Sequence, residues 1–111
     1  MGSMSLSPSY REISCAEVQA KLVSISPPCL VDVRQGWEYV RYHIPGALLL
    51  PTDEFAARFE AELDPADEII CVCEHGVRSE GAARFLAAQG YTNVATMPGG
   101  MAEYDGPVEK G

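Results

Sequence analysis

Glu68-Ile69-Ile70-Cys71-Val72-Cys73-Glu74-His75-Gly76-Val77-Arg78-Ser79 is the stretch on which the fold turns. Its first half is a short apolar run bounded by charged residues, the pattern of a strand buried on both faces. Gly76 then permits a tight curl of backbone. From Ser79 to Gln89 the pattern is helical, with Ala83, Leu86 and Ala87 on one face and Gly90 placed just past the end. The segment therefore reads strand, tight loop, helix, and it puts Cys73 at the carboxyl end of a central strand.

Outward from this unit, strands and helices alternate. Ser14-Cys15-Ala16-Glu17 is a capping box, followed by Val18, Leu22 and Ile25 at helical spacing until Pro27-Pro28. Cys29 to Val33 reads as a buried strand, Trp37 to Arg41 as a brief helix, and Ala47 to Leu50 as a second strand. Thr52 is placed to cap a helix whose inner face is Phe55, Phe59 and Leu63, with Pro65 as its stop. Val94 to Met97 is a last strand, and Pro98-Gly99-Gly100 a turn before a short final helix. This alternation predicts an α/β three-layer sandwich: a central parallel sheet of about five strands flanked by helices. Residues 10–108 are read as one domain, and Met1–Ser3 as a cloning remnant ahead of Met4.

Composition narrows the function classes. The chain has 111 residues, 47% of them hydrophobic, enough for one core, and a net charge of −8. That charge opposes nucleic acid and anionic membrane surfaces as partners. No run approaches the ~20 apolar residues of a membrane span. Ile44 to Leu50 is the most apolar stretch, and Pro45-Gly46 breaks it. The start lacks a basic region followed by an apolar one, so no secretory signal is expected. Cys15, Cys29, Cys71 and Cys73 are read as reduced thiols in a cytoplasmic protein. The cysteine spacing lacks the second pair of a zinc site, so no metal is expected.

The chemistry concentrates in Cys73-Glu74-His75-Gly76-Val77-Arg78-Ser79. In such a loop successive N–H groups can converge on an anion, and the following helix adds its positive end. A cysteine placed there is favoured as a thiolate, with Arg78 as a nearby cation or as a hydrogen-bonded brace. A buried core position is the commonest fate of a free cysteine. The surrounding Gly76, Arg78 and a helix-capping Ser79 favour the reactive reading, in a loop facing solvent. His75 is expected to line the cup.

Three separated motifs resemble those of rhodanese-domain proteins. The Cys73–Ser79 loop is similar to the family's active-site signature. Asp32-Val33-Arg34, Trp37-Glu38-Tyr39 and His43-Ile44-Pro45-Gly46-Ala47 resemble its N-terminal signature, and Gly99-Gly100-Met101 with Tyr104 its C-terminal one. The resemblance implies a sulfurtransferase with a five-stranded parallel sheet and no cofactor. Cys73 would take sulfane sulfur from a small anion such as thiosulfate, or from a low-molecular-weight persulfide. It would pass that sulfur to cyanide, a thiol or a protein acceptor. Backbone amides of Glu74 through Arg78 would cradle the terminal sulfur. Two alternatives stand beside this: a persulfide carrier or sensor working with a protein partner, and a phosphatase or arsenate reductase of the same fold. The latter use a loop with five residues between Cys and Arg; here four separate Cys73 from Arg78.

This chain departs from the family pattern in places. Glu74 stands where a basic or bulky neutral residue is common, which predicts weak use of thiosulfate. Tyr42 stands where Gly is usual, and Tyr104 where Trp is usual, with a shortened tail.

Other polar residues have structural readings. Asp32 and Arg34 are expected to brace loops by pairing with residues such as Arg78 or Glu38. Gly99 and Gly100 answer a close backbone approach beside the loop. Cys71 shares a sheet face with Cys73 and reads as core, or as a resolving thiol. His43 reads as an anchor for the turn at Pro45-Gly46, and Trp37 as a core or rim aromatic.

Overall fold

The computed structural model describes residues 9–111, so the expectation for Met1–Ser3 lies outside the described residues. Ten elements follow one another: β1 (Arg11–Glu12), α1 (Cys15–Leu22), β2 (Cys29–Asp32), α2 (Gly36–Arg41), β3 (Leu48–Leu49), α3 (Thr52–Glu62), β4 (Ile69–Val72), α4 (Val77–Ala88), β5 (Val94–Thr96) and α5 (Gly100–Glu103). The strands form one five-stranded sheet in the order β1-β5-β4-β2-β3, and every pairing is parallel. The expected α/β three-layer architecture is the one observed.

Two-residue periodicity splits the core between the sheet's faces. Ile69, Cys71 and Cys73 pack with Phe55 and Phe59 of α3 and Ala83 and Leu86 of α4. Ile70 and Val72 point the other way, against Val18 of α1 and Met101 of α5. Strand β4 is buried along its whole length, as its apolar run predicts.

Strand order creates the site. The chain leaves β2 outward to β3 on one side, and leaves β4 outward to β5 on the other. Segments following these adjacent strands therefore diverge, and a crevice opens at their carboxyl ends, where ligands bind in open α/β sheets. Asp32 and Arg34 lie at the end of β2, and Cys73 and Glu74 at the end of β4.

Three local expectations are corrected, and one strand is added. Helix α1 stops at Leu22, so Ile25 does not share its face and is fully exposed at 102%. Thr52 is the first helical residue of α3 and not its cap; its hydroxyl donates to the Val33 carbonyl at 3.0 Å, and Pro51 precedes the helix. Helix α4 begins at Val77, two residues before Ser79. Strand β1 was not expected, because Arg11-Glu12 is a short, exposed edge with no apolar pattern.

Candidate active site

The loop after β4 is held from behind. The carbonyl of Cys73 accepts the Met101 N–H at 2.8 Å, and that of Glu74 accepts the Ala102 N–H at 3.0 Å. A trans peptide aims its N–H opposite its carbonyl. Anchoring these two carbonyls on α5 therefore turns the N–H groups of Glu74 and His75 away from α5, toward the mouth of the loop. The N–H groups of Glu74, His75, Val77 and Arg78 have no acceptor among the described residues.

Two glycines make the anchoring possible. Gly76 has φ +89, and a Cβ there would lie 2.2 Å from the Pro98 carbonyl oxygen. Gly100 has φ +65, and a Cβ there would lie 2.2 Å from the Glu74 carbonyl oxygen. Each loop thus requires a glycine facing the other's backbone, which accounts for the Gly99-Gly100 expectation at Gly100.

The sulfur of Cys73 sits at the centre. It accepts the Gly76 N–H at 3.1 Å and the Ser79 N–H at 3.2 Å, and lies 3.5 Å from the Ser79 hydroxyl. Only 1% of Cys73 is exposed, so the solvent-facing position expected from sequence is corrected: the loop closes over the sulfur as its N–H groups turn down onto it. Ser79 does not cap α4. Gly76 stands at that position, and Ser79 lies buried one turn later, its hydroxyl 2.8 Å from that of Thr96.

Thr96 was not anticipated. It ends the fully buried strand β5, and a hydroxyl in such a place needs a partner, which is the signal that could have found it. His75 is exposed on the rim beside Val77, not folded into the cup, because the anchored carbonyls put backbone, not side chains, inside.

Charged residues around the loop form two separate groups. Arg78 forks onto Glu38, with Nη1 to Oε1 at 2.8 Å and Nη2 to Oε2 at 2.9 Å. The Arg78 guanidinium holds the Glu38 carboxyl at about 2. Arg78 is therefore a brace from the loop to α2. Arg34 donates from Nε and Nη2 to Asp32 at 3.0 and 2.8 Å, from Nη2 to the Tyr42 carbonyl at 2.7 Å, and from Nη1 to Glu74 at 3.2 Å. Asp32 and Arg34 are both essentially inaccessible, and their side-chain polar atoms are hydrogen-bonded, as burial of a charge pair requires. The expected pairing of Asp32 or Arg34 with Arg78 or Glu38 is thus corrected: the two adjacent strand ends bring Asp32, Arg34 and Glu74 together instead. Tyr42 completes this group, its hydroxyl donating to Glu74 Oε2 at 3.3 Å.

Cys71 is wholly buried, and burial pushes its thiol up to about 12, which leaves it a core thiol and a poor resolving nucleophile. Burial also raises Cys15 and Cys29. His43 stacks on Tyr39 at 3.7 Å and meets Glu109 at 3.0 Å, anchoring the tail away from the cup. Trp37 is a rim aromatic, 64% exposed. Among the described residues, no group of three or more His, Cys, Asp or Glu is arranged to hold a metal ion. No described helix is long and apolar enough to cross a membrane.

A strand-end cysteine inside a ring of N–H groups, on this sheet order, can be compared with known proteins. The rhodanese-like domain profile matches residues 14–106. The chain belongs to the rhodanese-like family. It is 38% identical over 101 residues to YrkF of Bacillus subtilis, whose name proposes a sulfur carrier; the match covers 91% of this chain and 54% of YrkF, about half that protein's length. It is 33% identical to the thiosulfate sulfurtransferase GlpE of Pseudoalteromonas translucida, over 86% of this chain and 90% of that one. Among solved structures, a rhodanese-like domain protein from Staphylococcus aureus superimposes with a TM-score of 0.83 at 29% identity, covering 91% of this chain and 98% of that one. A rhodanese from E. coli determined with anions gives 0.66 at 32% identity, over 75% and 98%.

Proposed function

We propose that this rhodanese-like chain is a sulfurtransferase that carries sulfane sulfur as a persulfide on Cys73. The observation that carries the reading is the pair of N–H bonds onto the Cys73 sulfur at 3.1 and 3.2 Å, beneath further N–H groups that lack acceptors. The first bonds fix the nucleophile. The others are donors for a second, negatively charged sulfur bonded to it.

The reaction follows from this arrangement. The Cys73 thiolate attacks the outer sulfur of a donor. A new S–S bond forms, the donor's S–S bond breaks, and the electron pair leaves with sulfite if the donor is thiosulfate, or with a thiolate if it is a persulfide. The terminal sulfur then lies among the loop amides of Glu74 to Arg78. An acceptor thiolate, a protein thiol or cyanide attacks it, and Cys73 departs as thiolate, ready for another turn. Ser79 and Thr96 hold the sulfur's position, while Glu38 and Asp32–Arg34 brace the loop. No metal or cofactor enters these steps.

A carrier that hands its sulfur to a protein acceptor is supported by the closed cup and by YrkF's name. Phosphatase or arsenate reductase chemistry is disfavoured by the four-residue spacing from Cys73 to Arg78. The four free cysteines support a reducing compartment such as the cytoplasm. The test is intact-mass analysis after incubation with thiosulfate and, separately, a low-molecular-weight persulfide. Gain of one sulfur atom in the native chain and none in Cys73→Ser is expected. Sulfur on another residue would overturn the assignment. Turnover to cyanide or a thiol then separates enzyme from carrier.

A further inference from the structure

A pocket of about 210 Å³ adjoins the loop, lined by Arg34, Trp37, Glu38, Arg41, Tyr42 and Glu74. It touches the cup from two directions. Glu74 directly follows Cys73, and Glu38 holds Arg78 at the loop's far end. A donor whose outer sulfur reaches Cys73 has this pocket beside it for its remainder, while a second pocket, lined in part by His75, Gly76 and Val77, flanks the loop's other side.

Most of the charge around this pocket is already spoken for. Asp32 is satisfied by Arg34, and Glu38 by Arg78. Two groups retain the most capacity. Glu74 receives one hydrogen bond on each oxygen, from Arg34 at 3.2 Å and Tyr42 at 3.3 Å, and its side chain is 26% exposed. A carboxylate oxygen accepts two hydrogen bonds, so each still has a free lone pair. Arg41 has no carboxylate partner among the described residues; its guanidinium lies 5.9 Å from the centre of the Trp37 ring. The pocket thus presents Glu74 as the anion with most acceptors free and Arg41 as the cation with most donors free. Tyr42 and Glu74 both line it and touch each other.

We propose that this pocket selects a small zwitterionic thiol as sulfur donor, an amino-acid persulfide whose ammonium meets Glu74 and whose carboxylate meets Arg41. The proposal rests on the persulfide reading above and specifies its donor. The step balances without an oxidant. The Cys73 thiolate attacks the outer, protonated sulfur of R–S–S–H; the new S–S bond forms as the donor's S–S bond breaks, and R–S⁻ leaves with the electron pair. A doubly charged anion such as thiosulfate gains nothing from Arg41 that Glu74 does not oppose.

The experiment compares sulfur loading of Cys73 by cysteine persulfide, by 3-mercaptopropionate persulfide, which lacks the ammonium, and by cysteamine persulfide, which lacks the carboxylate. Each missing group is expected to cost about tenfold in kcat/KM, the scale of one hydrogen bond to a charged group. Glu74→Gln should erase the discrimination against the donor without the ammonium, and Arg41→Ala that against the donor without the carboxylate, each leaving the other intact. Thermal melts establish that both variants fold. If one does not, the three-donor comparison on the native chain decides alone. Loading at rates within twofold for all three donors overturns the proposal and leaves the persulfide reading standing, as does an equal loss for all three in both variants. Failure of every donor, thiosulfate included, to load Cys73 overturns the persulfide reading and this proposal with it.

Discussion

Gly100 approaches Glu74 so closely that a Cβ on it would lie 2.2 Å from the Glu74 carbonyl oxygen and 2.8 Å from that of Cys73. This contact orients the loop, because the same two carbonyls accept the N–H groups of Met101 and Ala102. Gly100→Ala combines that clash with a positive φ. It is expected to cost about 1–3 kcal/mol of stability, the usual range for overpacking, and to abolish sulfur loading in whatever fraction stays folded. Urea unfolding and intact-mass analysis of one preparation check both. Native-like loading would show that the amides are oriented by something other than α5.

The two strand cysteines should respond differently to the same change. Cys73→Ser leaves an oxygen where the Gly76 and Ser79 N–H groups already donate, so the fold should persist while persulfide formation is lost. Cys71→Ser buries a hydroxyl with no partner provided, and should cost about 1–3 kcal/mol while Cys73 still loads. Chemical denaturation of both variants, with mass analysis, makes the comparison. Equal destabilisation would mean that Cys73 is chiefly a core residue.

The Arg78–Glu38 brace gives a pH signature. The Glu38 carboxyl is held at about 2 against an ordinary 4.5, so the folded chain binds this proton less readily than the unfolded one. The pairing contributes fully above about pH 4.5 and is lost as the pH falls toward 2. Over that window Glu38→Gln should show a shallower fall in stability than the native chain, and at pH 7 a lower denaturation midpoint and faster amide exchange in residues 74–79. Identical slopes would place the stabilising proton linkage elsewhere.

These pairings show where sequence reading stops. Strand β4, the loop and helix α4 were legible because an apolar run, a glycine and a helical repeat are local signals. Cys73 could be placed at a strand end for the same reason. Its burial could not, since the closing of the loop depends on carbonyls anchored by Gly100 and Met101, some thirty residues on. The partners of Asp32, Arg34 and Glu74 were equally hidden. They are set by which strands lie side by side, and the alternation of elements does not reveal that β2 neighbours β4. Thr96 carried one signal, a hydroxyl in a buried strand, but its partner Ser79 was hidden until β5 was seen to lie beside it.

Phosphate chemistry offers a negative control. The loop amides converge on a space already partly filled by the Cys73 sulfur, and only four residues separate Cys73 from Arg78, which is itself tied to Glu38. With a loop one residue shorter than the phosphatases', a phosphoryl group is expected not to be held at the ~3–3.5 Å separation that attack requires. Aryl phosphate hydrolysis should be at background. Cys73-dependent turnover in the native chain would contradict this.

Thiosulfate use depends on how far Arg34 neutralises Glu74. At ~7 Å a unit-charge repulsion is worth roughly 0.6 kcal/mol in water and about 2.4 kcal/mol at an effective dielectric of ~20. Taken alone, the larger figure would make Glu74 a severe obstacle to a dianion. Arg34 lies 3.2 Å from the carboxylate, however, and is itself balanced by Asp32, so Glu74 is only partly compensated. The smaller figure is the better guide. For a dianion that figure doubles to about 1.2 kcal/mol, so Glu74→Gln should raise kcat/KM for thiosulfate by about sevenfold at low salt, with the gain shrinking as ionic strength rises and the Debye length falls to ~8 Å. Tyr42→Phe removes a hydrogen bond without changing charge, and should leave the thiosulfate rate within about twofold of native. Steady-state kinetics at two ionic strengths separate the cases. A gain in Glu74→Gln that ignores salt would point to steric release of the cup, and no gain at all would mean that Arg34 already cancels the charge.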